Sequence, residues 1–510
     1  MDRRTFLMIA GLGGFAALMR DGGPAFADPA GPGTADFSWD GLRERAKSLA
    51  AQPYAPPGDK VAEELAKLDY DAYRKIKFRP DKAIWSDRPL PFRLQLFHAG
   101  YLYREPVEIH LVENGKAARI AFDPAMFDYG PAETRVVPEG DVGFAGFRVH
   151  APDGRSRYWE EFVVFQGASY FRAHARGQNY GLSARGLAIN TAQPGGEEFP
   201  AFRAFWVETP EPDAKTVTIH ALLDSRSVTG AYRFDISIGK ETVMDVECLL
   251  YPRRAMTYAG IAPFSSMFYF GPADHTFHDD FRPRVHDSDG LLMHTGRGEW
   301  IWRPLVTAGP ILYSVFSDRS PRGFGLMQRE RDFEQYQDLV AAYEKRPGSW
   351  VEPLSDWGEG SVDLIELPTD SEYVDNIVAF WRPKDPLEAG KSYEYRYRLS
   401  WCDEVPVERN VAHVVHTRTG KGLAKGSRYF LVDFAGGPLH ARANDEHWDY
   451  KVSASAGEIR AFSVAPNPEI DGKRVGIEYH PEDGKTADLS FQIRRFDEAL
   501  TEKWVYRWAP

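Results

Sequence analysis

The chain has 510 residues, of which 43% are hydrophobic, 14% aromatic and 27% charged, and 62 Lys and Arg against 74 Asp and Glu leave a formal net charge of -12. An acidic chain repels phosphate backbones, so a general nucleic-acid-binding role is excluded, and so much aromatic surface excludes a disordered chain. Its two cysteines, Cys248 and Cys402, rule out a disulfide framework and any cysteine-rich metal site.

Residues 1–27 read as an address. Asp2-Arg3-Arg4-Thr5-Phe6-Leu7 carries a twin-arginine pair, an apolar stretch runs from Leu7 to Met19, and Ala25-Phe26-Ala27 fits a small-x-small cleavage site. At about 13 residues the stretch is short of the roughly 20 that span a bilayer, which favours a cleaved leader over an anchor. The expected compartment is the periplasm. That compartment is oxidising, but Cys248 sits in the apolar run Val246 to Tyr251 and reads as a small buried hydrophobe.

The mature N-terminus has helical spacing, first at Leu42, Ala46 and Leu49, then at Val61, Leu65, Leu68 and Ala72. After Pro91 the period becomes two. Phe92-Leu94-Leu96, Val107-Ile109-Leu111, Val217-Ile219-Ala221 and Tyr393-Tyr395-Tyr397-Leu399 alternate apolar with polar neighbours, as half-buried strands do. This predicts an all-β fold built on a large antiparallel β-sandwich, with short helices near the mature N-terminus. One window, Phe333, Tyr336, Leu339, Val340 and Tyr343, is helix-spaced and predicts a helical excursion or lid. A break at Asp403-Glu404-Val405-Pro406 divides residues 28–402 from 403–510. The latter carries strand-like runs at Tyr429–Phe434, Val475–Tyr479, Leu489–Ile493 and Trp504–Trp508, as a small immunoglobulin-like sandwich would.

Familiar nucleotide and hydrolase motifs are absent. Gly181-Leu182-Ser183-Ala184-Arg185 ends in Arg where a nucleophile elbow needs Gly, and neither a phosphate loop nor H-E-x-x-H occurs. The densest polar cluster is His275-x-x-His278-Asp279-Asp280 followed by His286-Asp287-Ser288-Asp289-Gly290. Its spacing matches no metal site, so it reads as a polar loop or as an active-site loop supplying one carboxylate; no metal and no cofactor are assigned. Aromatics beside charges recur at Phe205-Trp206, at Trp300-Ile301-Trp302-Arg303 and at Trp350. Such residues can stack on a sugar face while charges bond its hydroxyl rim, or they can form sandwich core. Trp300 and Trp302 are kept as candidate sugar contacts.

Longer stretches resemble one family. Ala168-Ser169-Tyr170-Phe171-Arg172, Tyr180-Gly181-Leu182-Ser183-Ala184-Arg185-Gly186-Leu187-Ala188 and Gly196-Glu197-Glu198-Phe199-Pro200 are similar to the periplasmic glucan biosynthesis proteins G and D, which act in making osmoregulated periplasmic glucans. So are His286-Asp287-Ser288, Gly298-Glu299-Trp300-Ile301-Trp302-Arg303-Pro304-Leu305 and Asp375-Asn376-Ile377-Val378-Ala379. The likeness weakens beyond residue 405 and at His275–Asp280, and the twin-arginine leader is more typical of D members.

The resemblance implies a large β-sandwich followed by an immunoglobulin-like one. It implies an inverting glycoside hydrolase that cleaves β-1,2-glucan, with Asp375 as general acid and Asp287 as candidate base. Glu372, Tyr343, Arg346 and Trp350 match neighbouring cleft positions, as sugar contacts or supports of the acid. Some relatives transfer the cleaved glucan and close it into a ring. A glucan-binding scaffold that assists the membrane glucan glucosyltransferase without cleaving anything is the third reading, and the resemblance leaves a homodimer open. In an inverting pair one carboxyl must hold a proton for the leaving oxygen while the other is ionised to activate water.

Overall fold

The computed structural model describes residues 33–510, apart from 59–60, 62, 131–135, 155–157, 275–277, 308 and 441–446. The leader therefore lies outside the described residues, as do His275 and its two successors. No helix among the described residues is long and apolar enough to cross a membrane.

The alternating stretches form strands. Arg93–His98, Glu108–Glu113, Thr216–Asp224 and Tyr393–Cys402 all lie in two large sheets, one of ten strands and one of sixteen. Nearly all pairings are antiparallel; Ala201–Glu208 against Glu108–Glu113, and Trp300–Pro304 against Lys503–Trp508, run parallel. Ala259–Ser266, central in the ten-stranded sheet, is buried at every position, whereas Thr242–Pro252 in the larger sheet is buried at alternate positions along its first half. Between the sheets lies a core rich in Phe. Phe165 meets Phe171, Phe205 and Phe234 at centroid separations of 5.2–5.5 Å, mostly edge to face, which suits the ring quadrupoles.

The first helix is as the spacing predicts. Trp39–Ala50 starts at Ser38, whose side chain accepts the Gly41 N–H, and it buries Leu42 and Ala46 against the outer face of the larger sheet. The second spacing yields only two single turns, Glu63–Ala66 and Tyr70–Tyr73, because Asp69 caps a fresh start by accepting the Ala72 N–H.

Beyond residue 403 the strands form a second, smaller sandwich. His413–Lys421, Arg428–Ala435, Gly472–His480 and Glu458–Asn467 make one sheet; Trp448–Ala454, Ala487–Arg495 and Lys503–Trp508 face it and continue the sixteen-stranded sheet through Trp300–Pro304. Fully buried Glu502 ties the two parts together. It accepts hydrogen bonds from Arg329 at 2.7 and 2.9 Å, from Arg409 at 2.8 Å and from the Val414 N–H at 2.9 Å.

The helix-spaced window at 333–343 is not a helix. It holds two short 3₁₀ turns, Phe333–Gln335 and Tyr343–Lys345, with Gln337 and Ala342 in the left-handed region at φ 54° and 42°. Aspartate side chains break the ladder: Asp332 accepts the Glu334 N–H, and Asp338 accepts those of Val340 and Ala341. Tyr336 and Tyr343 are buried while Leu339 and Val340 are 87% and 65% exposed, so the apolar spacing marks two anchors and an exposed tip.

Cys248 and Cys402 are both free and buried. Cys248 pairs with Tyr395, and Cys402 lies seven residues further along that same strand. At about 3.4 Å per residue the two sit roughly 24 Å apart, far beyond disulfide reach.

Two buried imidazoles set a pH response. Burial drives His98 down to about 4, and burial with the nearby Arg284 guanidinium drives His286 down to about 3. Unfolded, both return to about 6.5. Between about pH 6.5 and 4 the unfolded chain holds protons that the native one lacks, so stability falls as pH falls through that window. Each histidine contributes at most about 1.4 kcal/mol per pH unit. Urea denaturation at pH 7 and pH 4.5 is expected to show the loss; equal stability at both would contradict it.

Candidate active site

Asp375 and Asp287 arrive from different strands. Asp375 stands in the loop just before Ile377–Pro383, and its neighbour Asn376 fixes that loop. The fully buried Asn376 amide donates to the carbonyls of Phe268 and Leu367 at 2.9 Å each, and its oxygen accepts the Phe268 N–H at 2.9 Å. With its donors and acceptor engaged, Asn376 leaves the preceding residue little freedom. The Asp375 carboxylate, 19% exposed, faces an Arg172 guanidinium nitrogen at 3.6 Å. Arg172 is itself steadied by the Ser183 hydroxyl, which accepts from its Nε at 2.6 Å.

Asp287 follows the short strand Val285–His286 and is buried. Its N–H donates to the Met267 carbonyl at 2.8 Å, and its carboxylate accepts a hydrogen bond from Arg346. Burial pushes the Asp287 carboxyl above the ordinary range. The Arg346 and Arg172 cations pull it back, the Asp375 charge adds to the rise, and the net direction is upward. The two aspartates therefore share one electrostatic neighbourhood.

A chain of contacts links the carboxylates through the 333–346 segment. The Arg346 guanidinium lies over the Tyr343 ring at 4.3 Å, and the Tyr343 hydroxyl donates to Glu372 at 2.8 Å. Glu372, three residues before Asp375, also accepts from Arg282 at 2.7 Å. Arg282 donates to Asp338 at 2.9 Å and to both oxygens of Asp280 at 2.9 and 2.7 Å. Burial opposes the charge on Asp338, but the Ala341 and Val340 N–H groups and Arg282 hold its carboxyl below the usual range. Glycine at 181 lets the 179–182 backbone close on this segment: a Cβ there would stand 3.0 Å from the Arg346 Cβ.

The resemblance placed Asp287, Asp375, Glu372, Tyr343, Arg346 and Trp350 around one cleft; the structure links the first five by direct contacts or shared charge and sets Trp350 apart. Tyr343 and Arg346 are 0% and 3% exposed, so their contacts here are with Glu372 and Asp287. Arg282, Asp338 and Asn376 had no assigned role. Asp280 belongs to the cluster that read either as a polar loop or as an active-site loop, and its carboxylate accepts from Arg282. Among the described residues no group of three or more His, Cys, Asp or Glu is arranged to hold a metal ion.

The tryptophans are elsewhere. Trp300, Trp302 and Trp350 are 6%, 3% and 0% exposed and lie in the core that joins the two sandwiches, Trp302 also bordering a small cavity beside Arg284 and His286. Trp350 stacks on Trp300 at 5.8 Å, and Trp302 lies beneath Arg329 at 3.5 Å. Glycines make room for them: a Cβ at Gly290 would stand 2.2 Å from the Trp302 ring, and one at Gly323 2.2 Å from the Trp350 ring. Their geometry is that of packing. Trp350→Ala is expected to cost about 3–5 kcal/mol in urea denaturation, with Trp350→Phe costing less. A raised KM for a saccharide at unchanged stability would instead return the indole to the ligand.

Comparison with known proteins agrees with the resemblance. A family described as "Periplasmic glucan biosynthesis protein, MdoG" matches residues 37–508. The chain is 49% identical over 467 residues to "Glucans biosynthesis protein G" of Rhodopseudomonas palustris (strain BisA53), covering 92% of each chain. It is 46% identical over 478 residues to the protein of that name from Shewanella sp. (strain MR-4), covering 93% of this chain and 87% of the relative. These relatives are named for G; the leader that leans toward D lies outside the described residues. A solved α-galactosidase from Geobacillus stearothermophilus shares 11% identity over 61% of this chain and 39% of its own, at a TM-score of 0.23, too weak a likeness to carry an argument. The family match spans nearly the whole described chain, and two relatives stand near half identity. The chain belongs to the MdoG family of periplasmic glucan biosynthesis proteins.

Proposed function

We propose that this chain is an inverting endo-β-1,2-glucanase that trims the glucan backbone, with Asp375 as general acid and Asp287 as general base. The observation that carries this reading is the pairing of two carboxylates in different settings. Asp375 is partly open beside Arg172, Asp287 is sealed beside Arg346, and the Asp375 charge adds to the rise of the Asp287 carboxyl. Two titratable groups with unlike environments are what an acid and a base require. The Glu372–Tyr343–Arg346 chain supports the reading by coupling the 333–346 segment to both carboxylates, so that movement of the segment on binding glucan would reach them together. In this reading the ligand is β-1,2-glucan and the membrane glucan glucosyltransferase is the partner whose product is trimmed.

One observation favours a second assignment of roles. The Asp287 carboxyl is raised, and a raised carboxyl holds the proton an acid must deliver. Against it, the Arg346 cation favours the ionised form, and the sealed position leaves a bulky leaving oxygen less access.

The mature protein incubated with linear β-1,2-glucan, with products read by mass, tests the function. Shorter linear chains, whose masses together exceed the substrate's by one water for each bond cleaved, are the expected products. Rings lacking that water would mean transfer, and unchanged glucan that still binds would mean a scaffold.

A further inference from the structure

The sheet that crosses from one sandwich to the other presents a second, unassigned face. Trp300–Pro304 and Lys503–Trp508 run side by side, with Ile301 against Lys503, and Ala487–Arg495 and Trp448–Ala454 follow. Side chains alternate along each strand, so Ile301 and Arg303, Lys503, Val505 and Arg507, Asp488 and Ser490, and Ser453 and Ser455 share one side. Strand Leu312–Arg319 of the other large sheet rises beside them. Ser314, Val315 and Phe316 form its wall, and the space between is a groove of about 380 Å³, within the range of ligand sites.

The lining is of two kinds. Val315, 47% exposed, with Phe316, Ile301 and Val505 gives an apolar surface. The serines at 453, 455 and 490, Lys503 and the Asp488–Arg507 pair give donors and acceptors around it. Charge is nearly balanced: Arg507 donates to both Asp488 oxygens at 2.9 Å and Arg303 is paired with Glu366 at 2.7 Å, while Lys503 makes no ion pair among the described residues. Two polar atoms here are buried without partners, the Ser314 Oγ, on a side chain 5% exposed, and the Arg507 Nε. Such groups carry a cost unless something bonds them. Two of its three cations, Arg303 and Arg507, are already held by carboxylates, which leaves Lys503 alone to meet an anion. A ligand with apolar faces and a rim of hydroxyls, able both to donate and to accept, fits all of this.

The geometry points to a second glucan-binding site in this junction groove, separate from the Asp287–Asp375 centre, taking a segment of the neutral β-1,2-linked chain. It rests on the reading that β-1,2-glucan is the ligand, but not on cleavage. A chain held here as well as at the centre would be retained between events, since a second contact turns rebinding into an intramolecular step.

Equilibrium dialysis of a labelled linear β-1,2-gluco-oligosaccharide against Asp375→Asn protein tests it, because that variant leaves the probe intact. Two bound equivalents are expected. Adding Ser490→Trp, or Val315→Trp from the opposite wall, fills the groove and is expected to remove one equivalent. Near-ultraviolet circular dichroism checks the fold of each, and either change in the otherwise wild-type chain leaves turnover of the oligosaccharide unchanged. One equivalent in Asp375→Asn alone, or two retained when both walls are filled, overturns the site. Cleavage with a single equivalent sinks only this inference; two equivalents without cleavage sink only the hydrolase.

Discussion

Asp375→Asn is expected to lower turnover of linear β-1,2-glucan by roughly 10²–10⁴-fold, the range a lost general acid costs, while glucan binding stays near wild type. The amide has the shape of the carboxyl and keeps an oxygen toward Arg172, and the Asn376 clasp that positions the loop is untouched. What it lacks is a proton to give. A β-glucoside with a nitrophenolate leaving group needs none, so Asp375→Asn should turn over that substrate far better than it does glucan. Asp287→Asn should lose activity on both, because activation of water is still required. If the leaving group rescues Asp287→Asn instead, the roles are exchanged, as the raised Asp287 carboxyl would then explain.

The second large effect is on stability. Arg346→Leu removes the cation that faces the buried Asp287 carboxylate and is expected to cost about 3–5 kcal/mol at pH 7. The double variant Arg346→Leu with Asp287→Leu should recover much of that, since a charge left alone is what costs, more than the pair contributes. The sign with pH follows from the same physics. Without Arg346 the Asp287 carboxyl rises further, its ionised form is the penalised one, and the deficit should shrink as pH falls and the group takes up a proton. Urea curves at pH 7 and pH 5 measure this. A deficit that stays constant with pH, or a double variant as unstable as the single, would show that Arg346 acts through packing on Tyr343 rather than through charge.

Much of the fold was legible because strand alternation is local. Tyr393-Tyr395-Tyr397-Leu399 announces its inward face within seven residues, and the strand Tyr393–Cys402 follows it. The 333–343 window misleads for an equally local reason: the spacing of Tyr336, Leu339 and Tyr343 mimics a helix, but Asp338 captures the N–H groups a helix would use. Trp300 and Trp302 could be sugar contacts or core by their sequence alone, and only the strand pairing shows the Trp302 indole covering the bare backbone of Gly290. Within the site, the aspartates could be picked out only through the family resemblance. Arg282 could not be, since its partners Asp338 and Glu372 lie 56 and 90 residues away and only the fold brings them to one guanidinium.

Inversion at the first bond cleaved is the central expectation. Two carboxylates acting as acid and base deliver water to the face opposite the leaving oxygen, so a β-linkage must yield an α reducing end. Proton NMR of linear β-1,2-glucan, recorded in the first minutes after enzyme is added and before mutarotation, should show the α-anomeric signal rising first. A β signal rising first, or no new reducing end at all, would contradict it.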